Sequence, residues 1–322
     1  MAIDLLQIQP TTISRDLRNK LLMIYSLPKV GKTSFAAECP NVLLFAFEKG
    51  YNAIAGIHAL DITKWAELKI ALKQLEKEEV KQKYEAIALD TVSIMWELCE
   101  KYICSKHNVE TLADISWGKG YAECEKEFES VLRRISQLNY GMILITHSEV
   151  RVEKIDDTNS IEIVQPSLNK RASKICNALV DIIGYIQSEF NEDGSSKRVL
   201  YTRATPTLMA GSRFPHLPNK IPFGYSELTE ALARAIELSG SKDGAVIVDK
   251  QTYQEVIKDR PFEEIQEEGK TLWSKLIEQD ENNVSKIMDA VEKIFNERKK
   301  LSDITPKQKD LFELLILEMR AI

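Results

Sequence analysis

The stretch "KLLMIYSLPKVGKTSFAAE", Lys20 to Glu38, constrains the fold more than any other part of the chain. "KLLMIY" is a short apolar run of strand formers. "TSFAAE" favours helix. Between them "SLPKVGKT" follows the pattern G-x-x-x-x-G-K-[ST], with Ser26 in place of the first glycine. Such a loop turns its backbone N–H groups around phosphates, and the helix that follows adds its dipole. The cradle runs over Ser26, Leu27, Pro28, Lys29, Val30, Gly31, Lys32, Thr33 and Ser34. Gly31 leaves room for close backbone approach, Lys32 reaches the β/γ-phosphates and Thr33 ligates Mg²⁺. A small residue can leave the strand at negative φ, so Ser26 weakens the match without destroying it. The expected ligand is ATP with Mg²⁺.

The loop needs a strand before it and a helix after it, and the rest of the chain continues that alternation. Apolar runs recur at 42–47, 85–90, 141–146, 179–187 and 198–204, with helical patterns over 65–79, 92–107 and 121–138. Strands separated by such helices predict an α/β fold with a mostly parallel central sheet covered on both faces. "NEDGSS", 191–196, predicts an antiparallel hairpin at the end of that core. The texture changes after residue 238. The expected division is an ATPase domain over 1–238, a linker over 239–262 and a small α-helical domain over 263–322. "DLFELLILEMR", 310–320, is too apolar for a wholly solvated helix.

Composition removes several classes. A net charge of −6 gives no global basic field for nucleic acid. No apolar run approaches the ~20 residues of a membrane helix, and the N-terminus lacks the marks of a signal peptide. Five scattered cysteines without a C-x-x-C pair suit a reducing, cytoplasmic setting. "CEKYICSKH", 99–107, has no second ligand cluster, which favours buried thiols over a metal site.

Three strand ends carry the candidate chemistry. In "YEAIALDTVSIMW" Asp90 ends an apolar strand, as an aspartate that holds Mg²⁺ does. Thr91 follows it, so the residue that activates water must come from elsewhere. "VLLFAFEKG" offers Glu48 at the tip of another strand. The carboxyl ends of parallel strands share one edge, where ligands bind, so Glu48 and Asp90 are expected to converge on the same phosphates. A carboxylate there can orient and deprotonate water. "GMILITHSEV" brings Thr146, His147 and Ser148 to that edge, with His147 the best candidate sensor of the γ-phosphate.

Taken together, "YSLPKVGKTSFA", "LLFAFEKG", "ALDTVSIMWE", "WGKGY", "ILITHSE" and "GSRFPHLPNKIPFGYSELTEAL" resemble the RecA-like ATPase core, and more closely the phage and prophage AAA-type nucleotide-binding proteins that include the Sak-type recombinases. The resemblance spans residues 18–238. "ITHSE" departs from RecA's glutamine-ended sensor. What the resemblance implies is a single-stranded-DNA-dependent ATPase for phage recombination or replication in the host cytoplasm. It also implies self-association into a ring or filament, and a phage recombination or single-strand-binding protein as a further partner. In such assemblies a neighbour's cation completes each site. Lys170 and Arg171 fit that role, and equally fit a solvated basic helix start. DNA contact is expected from Trp117, Lys119 and Tyr121 in "SWGKGYAE" and from Arg151 and Lys154 in the loop after His147. A RepA-type ring helicase and a nucleotide-gated adaptor with little turnover remain as alternatives.

Overall fold

A computed structural model describes residues 12–154, 156, 159–190, 194–243, 246–248 and 260–322. They form two compact units, 12–248 and 260–322.

The first unit runs β1 (Thr12–Ser14), β2 (Leu21–Ser26), α1 (Lys32–Ala37), β3 (Val42–Ala46), β4 (His58–Asp61), α2 (Trp65–Leu75), α3 (Glu78–Lys83) and β5 (Ala86–Asp90). It continues with α4 (Val92–His107), α5 (Lys119–Gln137), β6 (Gly141–Lys154), β7 (Ser160–Pro166), α6 (Lys170–Leu179) and β8 (Ile182–Phe190). It ends with β9 (Ser196–Tyr201), β10 (Gly211–Ser212), β11 (Lys220–Pro222), α7 (Tyr225–Asp243) and β12 (Val246–Val248). The main sheet has the order β11-β9-β8-β2-β6-β5-β3-β4. The strands from β8 to β4 along this path are parallel. The β8–β9 hairpin and β11 close one edge in antiparallel fashion.

Strands covered on both faces bury both sets of alternating side chains, which is why β2 and β5 read as unbroken apolar runs. One face packs Phe45, Ile87, Leu89 and Leu144 under α2, α4, α5 and α6. The other packs Ile24, Leu44, Ala88 and Ile145 under α1 and α7. All five cysteines are free thiols and buried. Cys99, Cys104, Cys124 and Cys176 lie in the first layer, and Cys39 in the second. Among the described residues no cluster of three potential metal ligands exists. None of their helices is long and apolar enough to cross a membrane.

Two expectations are corrected. The expected linker begins inside α7, which continues to Asp243, and β12 pairs in parallel with β1 in register Thr12↔Val246. Part of that span is therefore structured, because "VIV" finds "TIS" as a partner strand; residues 249–259 lie outside the described residues. The segment after His147 is not a loop. β6 continues through Lys154 and pairs with β7 as an antiparallel ribbon, Ser148↔Pro166 to Lys154↔Ser160. The predicted hairpin joins β8 and β9, although positions 191–193 of its turn lie outside the described residues.

The second unit contains α8 (Phe262–Gln279), α9 (Asn283–Phe295) and α10 (Lys309–Arg320). Ile265, Leu276, Ile287, Val291, Phe312, Leu315, Ile316 and Met319 fill its core. The apolar face expected of 310–320 is thus buried by its own neighbours. Gly269 allows α8 and α10 to approach closely, since a Cβ there would lie 2.8 Å from the Phe312 ring.

Candidate nucleotide site

The register of the sheet assembles the site. Ser26 at the end of β2 lies beside His147 of β6. Asp90 at the end of β5 lies between Ala46 of β3 and Ile145 of β6. The Phe47 backbone N–H donates to the Asp90 carbonyl at 2.7 Å, which prolongs the β3–β5 pairing and delivers Glu48 to the same edge. The peptide joining Asp90 to Thr91 is cis.

The loop reverses direction through two residues of positive φ, Lys29 at 65° and Gly31 at 107°. Gly31 precedes the first residue of α1 in the left-handed region, where glycine carries no Cβ penalty. Lys32, 6% exposed, folds back over the loop. Its Nζ donates to the Ser26 carbonyl and Ser26 Oγ at 3.2 Å and to the Leu27 carbonyl at 2.9 Å, and lies 3.3 Å from His147 Nδ1. Ser26 thus supplies two of the oxygens that hold the lysine. Burial lowers the Lys32 pKa, opposed by the charges of Asp90 and Glu48.

Asp90 is 2% exposed, and its Oδ2 accepts a hydrogen bond from Thr33 Oγ1 at 2.6 Å. Burial raises the Asp90 pKa; the Thr33 hydrogen bond opposes the rise, Glu48 adds to it and Lys32 opposes it. His147 Nε2 lies 3.7 Å from Glu48 Oε1. Facing an ammonium, Nδ1 serves as acceptor, which leaves the proton on Nε2, directed at Glu48. A Cβ on Gly50 would sit 3.5 Å from Thr33 Oγ1, 3.8 Å from Asp90 Oδ2 and 4.0 Å from Glu48 Oε1. Those three oxygens therefore border one small space. A hydroxyl and one or two carboxylates, without a complete protein cage, fit Mg²⁺ that also takes phosphate oxygens and water.

The structure thus brings Lys32, Thr33, Glu48, Asp90 and His147 together. Thr146 is buried and donates to the Ser167 carbonyl at 3.2 Å, and Ser148 starts the β6–β7 ribbon. Lys170 opens α6, three residues after Ser167, whose N–H donates to the His147 carbonyl at 2.8 Å. Arg171 pairs with Glu125 of its own chain at 2.8 Å and lies over the Tyr121 ring at 5.3 Å. The residues expected as neighbour-reaching cation and as DNA-stacking ring therefore share one surface.

That surface lies beyond the carboxyl edge of the sheet. The Trp65 indole N–H, just after β4 and its connection, donates to Glu127 of α5 at 2.8 Å, so the turns of α5 before Glu127 overshoot the edge. Trp117, 95% exposed with φ 60°, and Lys119 lie at that outer end. Arg151 and Lys154 are exposed on the β6–β7 ribbon. One neighbour of the loop escaped the sequence reading. Arg198 of β9 donates from Nη1 to the Val30 carbonyl at 2.9 Å and lies over the Phe223 ring at 5.2 Å.

A phosphate-type loop at the carboxyl edge of a parallel sheet, with a hydroxyl and an aspartate paired beside its lysine, defines a P-loop-type α/β domain. The chain belongs to the AAA domain family, which matches residues 18–214. It is also similar to the SPbeta prophage-derived uncharacterized protein YorG of Bacillus subtilis (strain 168), 26% identical over 331 residues that cover 99% of this chain and 98% of that one. The family points to a nucleotide-binding ATPase.

Proposed function

We propose that the chain is a RecA-like ATPase that hydrolyses ATP with Mg²⁺ and couples turnover to single-stranded DNA in phage recombination or replication. The observation that carries the reading is the convergence of Glu48, from a strand other than that of Asp90, on the space bordered by Thr33 and Asp90, with His147 between Glu48 and Lys32. The strand order supports it. β6, which carries His147, lies between β2 and β5, so a sensing side chain stands between the phosphate loop and the metal aspartate.

Each residue then has a task. Lys32 neutralises the β/γ-phosphates, exchanging its internal carbonyl partners for phosphate oxygens. Thr33 and Asp90 would hold Mg²⁺, which when bound screens charge developing on the phosphates. Glu48 orients the attacking water and accepts its proton. His147 holds Nε2 3.7 Å from Glu48 Oε1 and is placed to register loss of the γ-phosphate through Lys32. A neighbouring subunit's Lys170 or Arg171 supplies positive charge to the transition state in trans.

The DNA part of the reading rests on Trp117, Lys119 and Tyr121, with Arg151 and Lys154 on the β6–β7 ribbon. Aromatic side chains beside cations suit stacked bases and a phosphate backbone. Coupling follows from proximity, because Ser167 ties the His147 backbone to the start of the helix that carries Arg171. The decisive experiment is the rate of ATP hydrolysis by the full chain with and without single-stranded DNA. Stimulation by DNA is expected. Hydrolysis that ignores DNA removes the coupling, and no hydrolysis in either condition leaves the adaptor reading.

A further inference from the structure

Arg198 belongs to the closing hairpin, yet it is fixed to the phosphate loop. Its Nη1 donates to the Val30 carbonyl, and a Cβ on Gly31 would lie 2.5 Å from that same nitrogen. The guanidinium covers Phe223, and Phe223 stacks on Phe35 of α1 with ring centroids 5.5 Å apart and planes 21° apart. A planar cation, a first ring and a second ring thus form one layered stack against the loop. Phe35 is buried and anchors the stack in the core, whereas Arg198 is exposed.

The position of the contact decides what the stack meets. A phosphate loop directs its N–H groups inward to the anion, and its carbonyls face away. Arg198 is exposed and holds the Val30 carbonyl, whereas buried Lys32 holds the Ser26 and Leu27 carbonyls, so the two cations meet the loop at different points. A nucleotide bound in the cradle must leave it on some side with its sugar and base. The stack offers an exposed guanidinium placed over an aromatic ring, and a planar cation of that kind suits another planar ring.

We infer that Arg198, backed by Phe223, forms the wall of a nucleobase subsite and positions the base of the nucleotide by stacking. The inference rests on the nucleotide reading of the loop. Stacking uses the π-face that every base has, so the subsite holds purine nucleotides without strong discrimination between adenine and guanine.

The test compares ligands with and without a base on the full chain. Magnesium complexes of ATP, GTP, ADP and inorganic triphosphate are titrated by calorimetry into the wild type, Arg198→Ala, Arg198→Lys and Phe223→Ala. The expected result is a loss of about tenfold in affinity for ATP, GTP and ADP in both alanine variants, between the values of an exposed and a desolvated cation–π contact. Triphosphate affinity stays at the wild-type value. Arg198→Lys keeps the charge but not the plane, and is expected to resemble Arg198→Ala. Equal losses for ATP and triphosphate, restored by Arg198→Lys, would make Arg198 a phosphate ligand and overturn the inference. Unchanged affinities throughout would reduce it to a buttress of the loop. Wild-type ATP affinity in Lys32→Ala is a separate outcome, since it removes the loop reading itself.

Discussion

Thr33 Oγ1 donates to Asp90 Oδ2 across 2.6 Å, joining the first turn of α1 to the end of β5. The two oxygens already face each other, so a shared cation would replace their hydrogen bond without either side chain having to swing in. Lys32→Ala is expected to abolish turnover and weaken nucleotide binding, because Lys32 is the cation folded back over the loop, against the Ser26 and Leu27 carbonyls. Ser26→Gly removes one of the oxygens around Nζ but keeps the Ser26 carbonyl, and near-normal hydrolysis is expected. Steady-state ATPase assays check both, and normal turnover in Lys32→Ala would sink the assignment.

Glu48→Gln keeps the size of the side chain and one acceptor but removes its basicity. Retained ATP binding with hydrolysis slowed ~10²–10⁴-fold is expected. Single-turnover hydrolysis measured beside equilibrium binding separates the two effects. Glu97 lies exposed on α4 and serves as the control. If Glu97→Gln is dead while Glu48→Gln is normal, the base lies on α4, after β5, and not after β3.

Arg171 must leave Glu125 to enter a neighbouring site. A partly exposed pair of this kind is worth ~0.2–1 kcal/mol, too little to hold back a cation attracted to a polyanionic transition state. Mixtures of Arg171→Ala and Lys32→Ala subunits are expected to recover activity that neither shows alone. A monomer equally active at all concentrations would rule the trans role out.

Trp117→Ala and Tyr121→Ala are each expected to lose ~1–3 kcal/mol of single-strand affinity per base unstacked. Lys119→Ala should flatten the dependence of binding on salt, since it removes one phosphate contact. Fluorescence titrations at several salt concentrations read both. Loss of binding only on deletion of 263–322 would assign the DNA contact to the second unit.

Glu268 ties α8 to α10 in that unit, pairing with Arg260 at 2.5 Å and with Arg320. The Arg260 hydrogen bond, opposed by burial and aided by Arg320, lowers its pKa below the ordinary carboxylate value. A depressed carboxylate stabilises the fold above its unfolded pKa and loses that contribution as pH falls through the folded one. Glu268→Gln is therefore expected to be less stable than wild type by about 1 kcal/mol at most at neutral pH. The difference should vanish as the pH drops below the ordinary carboxylate range, as thermal unfolding across pH will show.

What the sequence made legible was local chemistry. Gly31, Lys32 and Thr33 sit in one unbroken motif, and Asp90 and Glu48 end strands whose apolar runs are plain. Parallel pairing then puts strand ends on one edge by geometry alone. Arg198 was hidden because 168 residues separate it from Val30, and "SSKRVLY" reads like any exposed hairpin. Only the placement of β8 and β9 beside β2 brings it to the loop. The ribbon after His147 did leave a signal, the alternation in "SEVRVEK" and "SIEIVQP", which period-two reading can recover. The loop expectation follows instead from ending the strand with its apolar run, at Thr146.

The five buried thiols give the chain reporters for its own opening. Burial pushes the Cys39 thiol up to about 11 and the Cys176 thiol up to about 12, so neither offers a ready thiolate to an alkylating reagent at neutral pH. Modification must await exposure, and its rate then measures how often each layer opens. Cys39 follows the helix that bears Lys32 and Thr33 and belongs to its layer, while the other four lie on the opposite face of the sheet. Mass spectrometry after timed alkylation would therefore distinguish breathing around the phosphate loop from breathing of the layer beneath the exposed aromatics, and show which of the two a bound nucleotide quiets.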